Sequence, residues 1–286
     1  MSGKLEIDTW QFQGSSYPMV SEGEVTCKTL MGRSRIDGVD YTLNPYLGCA
    51  HACVYCYARF MSRMGHKGER WGSFVDAKVN ALERLKTEIP KRRHGLVFLS
   101  SVTDPYQPLE KKYELTRGSL KLLLEHQFPV SILTKSDLVL RDLDIIRNFD
   151  TIEVGFTLTS FNDVAKRAFE PGSSPIKKRL AALKELSQEG IPTWAFIGPV
   201  LPYITENGLE LLLDELAGCV NRILIDKLNI KAGNMPDIRK SLSKHYPELQ
   251  PLFEMALKGD SSYYDGFKRM VSEMCHKRLI PFEVLY

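Results

Sequence analysis

The sequence predicts an α/β protein in which six β-units form a partial (β/α)6 barrel of TIM type with helices outside. Three observations lead there. Short apolar runs rich in β-branched and aromatic residues recur between positions 95 and 230, and stretches of helical period separate them. Strand and helix alternate in this way when the strands lie parallel and the helices cross over outside the sheet. The length of 286 residues, with 43% apolar and 26% charged residues, suits one such barrel with additions.

The elements follow in chain order. A first strand is expected near "DYTLNPY" (40–46), and a second at "GLVFLSS" (95–101). "TRGSLKLLLEHQ" (116–127) has helical spacing and leads to a third strand, "PVSILTK" (129–135), and then a fourth, "TIEVGFTLT" (151–159). "SPIKKRLAALKELSQEG" (174–190) is helical: Ser and Pro open its first turn and Gly190 closes it. "PTWAFIGPV" (192–200) and "RILIDKLN" (222–229) complete the six strands. Residues 1–39 read as a loosely structured N-terminal lead-in, 40–230 as the core, and 231–286 as a mostly helical C-terminal extension ending in the apolar "IPFEVLY". In sheets of this kind, function gathers at the carboxyl ends of the strands.

A net charge of +3 neither demands nor excludes a nucleic-acid partner. No apolar run reaches the length of a membrane span, and "MSGKLEIDTW" lacks the basic start and apolar stretch of a signal peptide. A cytoplasmic, reducing setting is therefore expected, without membrane contact, and six cysteines there read as metal or redox chemistry before disulfides. Cys27, Cys219 and Cys275 are scattered and read as structural thiols.

Cys49, Cys53 and Cys56 are different, because they crowd into "YLGCAHACVYCYAR" (46–59). Three thiolates can hold a metal but leave one position of a four-ligand site open, and an open position is where chemistry occurs. The competing reading is a structural zinc knot completed by His51. It suffers from the tight spacing of His51 and the lack of a second Cys-x-x-Cys pair.

The pattern Cys-x-x-x-Cys-x-aromatic-Cys after a first strand resembles the radical S-adenosylmethionine (SAM) superfamily. That resemblance implies a [4Fe–4S] cluster on Cys49, Cys53 and Cys56 whose fourth iron binds SAM. It also implies a one-electron reductant of flavodoxin or ferredoxin type and a radical that abstracts hydrogen from a substrate. With "TDPYQPLEKKYELTR" (103–117), "TKSDLVLRDLDII" (134–146) and "FEPGSSPIKKRLAALKELSQEGIP" (169–192), the chain is similar to the spore photoproduct lyase family and its DNA-repair-photolyase-like relatives over roughly 40–230.

By position, the resemblance puts Tyr55 against the SAM adenine and Tyr57 near adenine or substrate. Lys135 would meet the SAM carboxylate, Thr157 would hydrogen-bond SAM, and Gly198 would let backbone approach adenine. Ser101 and Thr103 fall on the cofactor side as well, while Asp104, Tyr106 and Gln107 are the candidates for facing the reacting groups. One departure matters: "FLSSVTDPYQP" has Ser100 and Ser101 where the lyase that names the family has a hydrogen-donating cysteine.

The expectation is thus a monomeric radical SAM enzyme acting on an unidentified substrate, with DNA or RNA as the class to test. Alternatives are thymine-dimer repair with a non-cysteine hydrogen donor, modification of a protein or metabolite, and a non-catalytic metal- or nucleic-acid-binding protein. The cationic clusters "PKRRHG" (90–95) and "SPIKKR" (174–179) would favour nucleic acid if they shared a face, with Trp71, Tyr106 or Tyr203 stacking on a flipped base.

Overall fold

A computed structural model of the chain describes residues 20–230, 233–258 and 262–286. Its strands are β1 (Ser21–Val25), β2 (Met31–Arg33), β3 (Tyr41–Leu43), β4 (Tyr46–Gly48), β5 (Phe74–Lys78), β6 (Val97–Leu99), β7 (Val130–Thr134), β8 (Ile152–Thr157), β9 (Thr193–Val200), β10 (Arg222–Lys227) and β11 (Phe282–Val284). The main sheet has the order β11-β10-β9-β8-β7-β6-β3-β2, parallel except for β2, and the six expected strands form its consecutive centre. A smaller sheet, β1-β5-β4, packs beside it.

The pattern of burial explains why these segments fold as they do. Along β7, Val130 and Ile132 are buried without residual exposure, and β8 and β9 carry near-continuous buried runs, as strands covered on both faces must. The helix Ile176–Gln188 buries Ile176, Leu180, Leu183 and Leu186 at helical spacing against the same core. Truncating one of these, for instance Leu183→Ala, costs about 2–5 kcal/mol. The helix starts differently from its sequence signal. Pro175 occupies the N-cap without a capping bond, and the Ser174 hydroxyl donates to Asp137 Oδ1 at 2.5 Å instead.

Two boundaries need correction. The lead-in is not loose throughout: β1 pairs with β5 and β2 with β3, although residues 1–19, including "MSGKLEIDTW", lie outside the described residues. "SEGEV" has no apolar alternation, so only its partner strand makes it legible. The "IPFEVLY" terminus contributes β11, whose Phe282 pairs with Ile223 of β10, so the extension adds a further parallel strand. No helix among the described residues is long and apolar enough to cross a membrane.

Candidate active site

The cysteine loop starts where β4 ends. Gly48 closes that strand at φ +83°, and a Cβ there would meet the Phe74 carbonyl oxygen at 2.4 Å, so the turn into Cys49 needs glycine. The loop has little regular structure: Ala52 N donates to Cys49 O (3.2 Å) and Cys56 N to Cys53 O (3.1 Å). Cys49 and Cys53 are 7% and 5% exposed, Cys56 is half-buried against Trp71 and Phe74, and none of the three is in a disulfide. Burial pushes all three thiols up, that of Cys53 to about 12 despite the opposing Lys135. Thiols so placed become thiolates only beside a strong positive charge, which a bound metal supplies.

Among the described residues, no three His, Cys, Asp or Glu side chains converge to hold one ion. Three thiols in one short loop are the kind of donor set that iron–sulfur clusters take.

The loop is held from the β6 side by the residues of "TDPYQ". Thr103 Oγ1 donates to Gly48 O (2.6 Å) and accepts from Gln107 Nε2 (3.1 Å), while Gln107 Oε1 accepts from Ala50 N (2.9 Å). Asp104 is buried and accepts from Thr134 Oγ1 (2.7 Å), Tyr106 N (2.9 Å) and Lys135 N (2.9 Å). His51 Nδ1 lies 3.3 Å from Asp104 Oδ2 without an aligned hydrogen bond. Burial alone would raise the Asp104 carboxyl, but His51, Lys135 and the Thr134 bond hold it well below the usual carboxylate range.

Lys135 follows β7. Burial works to lower its ammonium, yet Cys53, Glu170 and Asp104 more than offset this and raise it. Its amino group donates no hydrogen bond among the described residues, so a charged donor stands ready beside the cysteines. Tyr57 begins the 3₁₀ helix Tyr57–Arg63 and is 48% exposed, its hydroxyl donating to Ser101 O. Ser101 Oγ in turn accepts from Asn44 Nδ2 at 3.3 Å.

From the β8 side comes a buried ion pair. Arg179 Nη2 and Glu170 Oε2 are 2.6 Å apart, both side chains fully buried. Glu170 Oε1 accepts from Thr159 Oγ1 (3.0 Å) and from the Tyr55 hydroxyl, while Arg179 Nη1 donates to Thr157 O (2.9 Å). Burial would raise the Glu170 carboxyl; Arg179, Lys135 and the Tyr55 bond outweigh it and hold it down to about 2. Tyr55 packs with Phe169, Leu201 and Ile204, and Asn234 Nδ2 donates to its carbonyl at 2.7 Å.

The geometry therefore brings Tyr55, Tyr57, Ser101, Thr103, Asp104 and Lys135 in or around the cysteine loop, while Thr157 is joined to it only through Arg179, which donates to its carbonyl. Gly198 lies in β9, where a Cβ would meet the Phe196 ring at 2.3 Å, so the position is closely packed. Tyr106 is a correction: its side chain is 1% exposed in the main core and does not face the mouth, because the turn after Asp104 sends it inward. Trp71 is likewise buried, leaving Tyr203 (37% exposed) as the accessible aromatic of the three. The cationic clusters do not share a face, since "PKRRHG" precedes the amino end of β6 while "SPIKKR" follows the carboxyl end of β8. Arg179, from the latter, is buried.

Sequence reasoning missed the Glu170–Arg179 pair. A signal existed: Arg179 falls on the apolar face of its helix, in register with Ile176, Leu183 and Leu186.

The model of the radical SAM superfamily matches residues 43–216. An uncharacterized protein of Methanocaldococcus jannaschii is 37% identical over 251 residues, 88% of this chain and 90% of that relative. A Pseudomonas phage M6 protein described as a radical SAM Nalpha-GlyT isomerase is 26% identical over 192 residues, 66% of this chain and 39% of its own. Among solved structures, spore photoproduct lyase complexed with dinucleoside spore photoproduct superposes with a TM-score of 0.64 at 16% identity, over 93% of this chain and 82% of the lyase. The fold is thus the one that lyase has, and the chain belongs to the radical SAM superfamily as one of its enzymes.

Proposed function

We propose that Cys49, Cys53 and Cys56 carry a [4Fe–4S] cluster and that SAM occupies the space between the loop and Lys135. The observation that carries this reading is the pairing of three clustered thiols, none in a disulfide, with an ammonium raised by Cys53 that donates no hydrogen bond among the described residues. When bound, cluster and SAM supply a 5′-deoxyadenosyl radical for hydrogen abstraction. The chain's own residues bind and orient. Lys135 takes the SAM carboxylate, and Thr157 and Gly198 border the ligand from β8 and β9. Tyr55 and Tyr57 flank the adenine side, and Ser101 and Thr103 line the end of β6. Asp104 keeps Lys135 in place through its backbone N–H and is ionised in doing so.

The substrate class we propose is nucleic acid. Support comes from the lyase of matching fold, solved with a dinucleoside photoproduct. A flavodoxin- or ferredoxin-type donor would deliver the electron to a monomer in the cytoplasm. A second reading, repair of the photoproduct itself, is favoured by one observation: Tyr57 places an accessible phenol beside Ser101, in the stretch that lacks a thiol. Recovery of thymine from the dinucleotide lesion, lost in Tyr57→Phe, would establish it, and no recovery removes it.

The principal test is anaerobic reconstitution. About four irons and four sulfides per chain are expected, with 5′-deoxyadenosine released from SAM under reduction. Changing all three cysteines to alanine should abolish both. Zinc in the loop, with no SAM binding by calorimetry, would instead identify a non-catalytic protein.

A further inference from the structure

The stretch "FEPGSS" (169–174) has no part in the chemistry above, yet it runs along the metal loop. Phe169 O accepts from Val54 N at 3.0 Å, and the Glu170 carboxylate takes the Tyr55 hydroxyl. Gly172 N donates to His51 O at 3.0 Å, and a Cβ on Gly172 would meet the Ala50 carbonyl oxygen at 2.1 Å. Ser174 N then donates to Lys135 O at 3.0 Å. Ala50, His51, Val54 and Tyr55 all lie between Cys49 and Cys56, and each rests on this stretch. Arg179 locks it from behind: Nε donates to Ser174 O (2.8 Å), Nη2 to the Ser173 hydroxyl, and Nη1 to Thr157 O (2.9 Å).

We propose that residues 169–174, locked by Arg179, are a template that sets the cysteine loop in register with Lys135 before any metal arrives. Glu170 and Gly172 are its positioning residues. The loop's two internal turn bonds cannot order it alone, and the entropy of ordering is offset by these cross-contacts instead of by metal binding. Preorganisation then appears as tighter cofactor binding. The consequence for the loaded enzyme rests on the metal-centre reading; the consequence for the metal-free loop does not.

Gly172→Ala tests the template without touching a cysteine. Its φ lies outside the left-handed region, so alanine suits the backbone, but the methyl must push the Ala50 carbonyl away. In metal-free protein, alkylation of Cys49 and Cys53 by iodoacetamide, followed by mass spectrometry, should accelerate about tenfold or more, as expected when opening becomes easier by the equivalent of a tenfold equilibrium shift. Tyr55→Phe, which removes one hydroxyl and keeps the ring, should shift the rate the same way by less. After reconstitution, both variants should show an altered electron paramagnetic resonance signal on SAM addition and weaker SAM binding. Unchanged labelling in both variants overturns the template, whatever metal the wild type holds. A lower unfolding midpoint with unchanged labelling and unchanged spectra also overturns it, because that is a merely structural role. If the wild type takes up no iron, the metal-centre reading falls, and labelling still decides the template. Should Gly172→Ala fail to fold, the labelling of Tyr55→Phe decides alone.

Discussion

Two buried ionic networks flank the barrel, and they differ in what they reach. The outer one centres on Glu110 and Asp142, both fully buried. Glu110 accepts from Tyr46, Thr116 N (2.9 Å), Arg117 N (3.1 Å) and Arg141 (2.7 Å). Asp142 takes Arg117 and Arg141, each at 2.8 Å. The inner network, Glu170–Arg179 with Asp104–His51, reaches the cysteine loop; among the described residues Lys135 donates no side-chain bond and His51 Nδ1 is unaligned. Burial of charge marks both regions. What separates the two is contact with the cysteine loop, which the inner network makes through Glu170 and the Tyr55 hydroxyl.

Breaking each network should cost different amounts. Arg179→Met leaves Glu170 buried without its cation, and about 3–5 kcal/mol of stability should be lost. Arg141→Met leaves Glu110 three other donors and removes a side chain that is 21% exposed, so a loss of about 1–3 kcal/mol is expected. Urea unfolding of the two metal-free variants measures the gap, and equal losses would erase the contrast.

Lys135→Met should act on a different property, weakening SAM binding beyond whatever stability is lost with the cation beside Glu170 and Asp104. A charge-assisted hydrogen bond contributes about 1.5–3 kcal/mol, or roughly 10- to 150-fold in affinity. Anaerobic calorimetry on reconstituted protein reads it. Glu110→Gln in the outer network should leave SAM affinity at the wild-type value, and a parallel loss there would show that the two networks are coupled.

How much of this could be read from the sequence follows from the range of each interaction. The six strands and the helix 176–188 announce themselves through local periodicity, and the cysteines through spacing. Lys135 was visible through the resemblance, which sets a lysine at the end of the third strand. Tyr106 was misplaced because its neighbours Asp104 and Gln107 do turn toward the loop, and one residue of offset in a tight turn reverses the direction. β1 and the template stretch were illegible: "SEGEV" and "FEPGSS" have no period of their own, and their meaning lies in partners at least fifty residues away in "FVDAK" or more than a hundred in the cysteine loop.

Acid should sharpen the contrast next. Glu170 is held down to about 2 in the fold against an ordinary value of 4.5. The folded state binds fewer protons than the unfolded one between those values, so stability is present above 4.5 and lost as pH falls toward 2. Glu170→Gln should flatten that slope in urea titrations of metal-free protein, and an unchanged slope would assign acid sensitivity elsewhere.

The smallest effect belongs to a more exposed third region. His66 Nε2 meets Asp76 at 2.7 Å and Nδ1 meets Glu69 at 2.8 Å, and its ring stacks on Phe74 with centroids 3.9 Å apart. Carboxylates at both nitrogens require both to carry protons. Burial works against that charge, but the bonds to Asp76 and Glu69 outweigh it and raise the imidazole above 6.5. Its contribution is therefore complete below 6.5 and disappears as pH rises through the higher folded value. With Glu69 44% exposed, solvent screens that arm, and a contribution of no more than about 1 kcal/mol is expected. Phe74 also packs against Cys49 and Trp71, so release of His66 loosens the floor beneath the loop without touching Glu170 or Asp104. Hydrogen exchange of residues 64–76 across that pH range should accelerate in the wild type and be pH-flat, after correction for intrinsic rates, in His66→Gln. The same slope in both proteins would remove His66 from the charged supports of the loop.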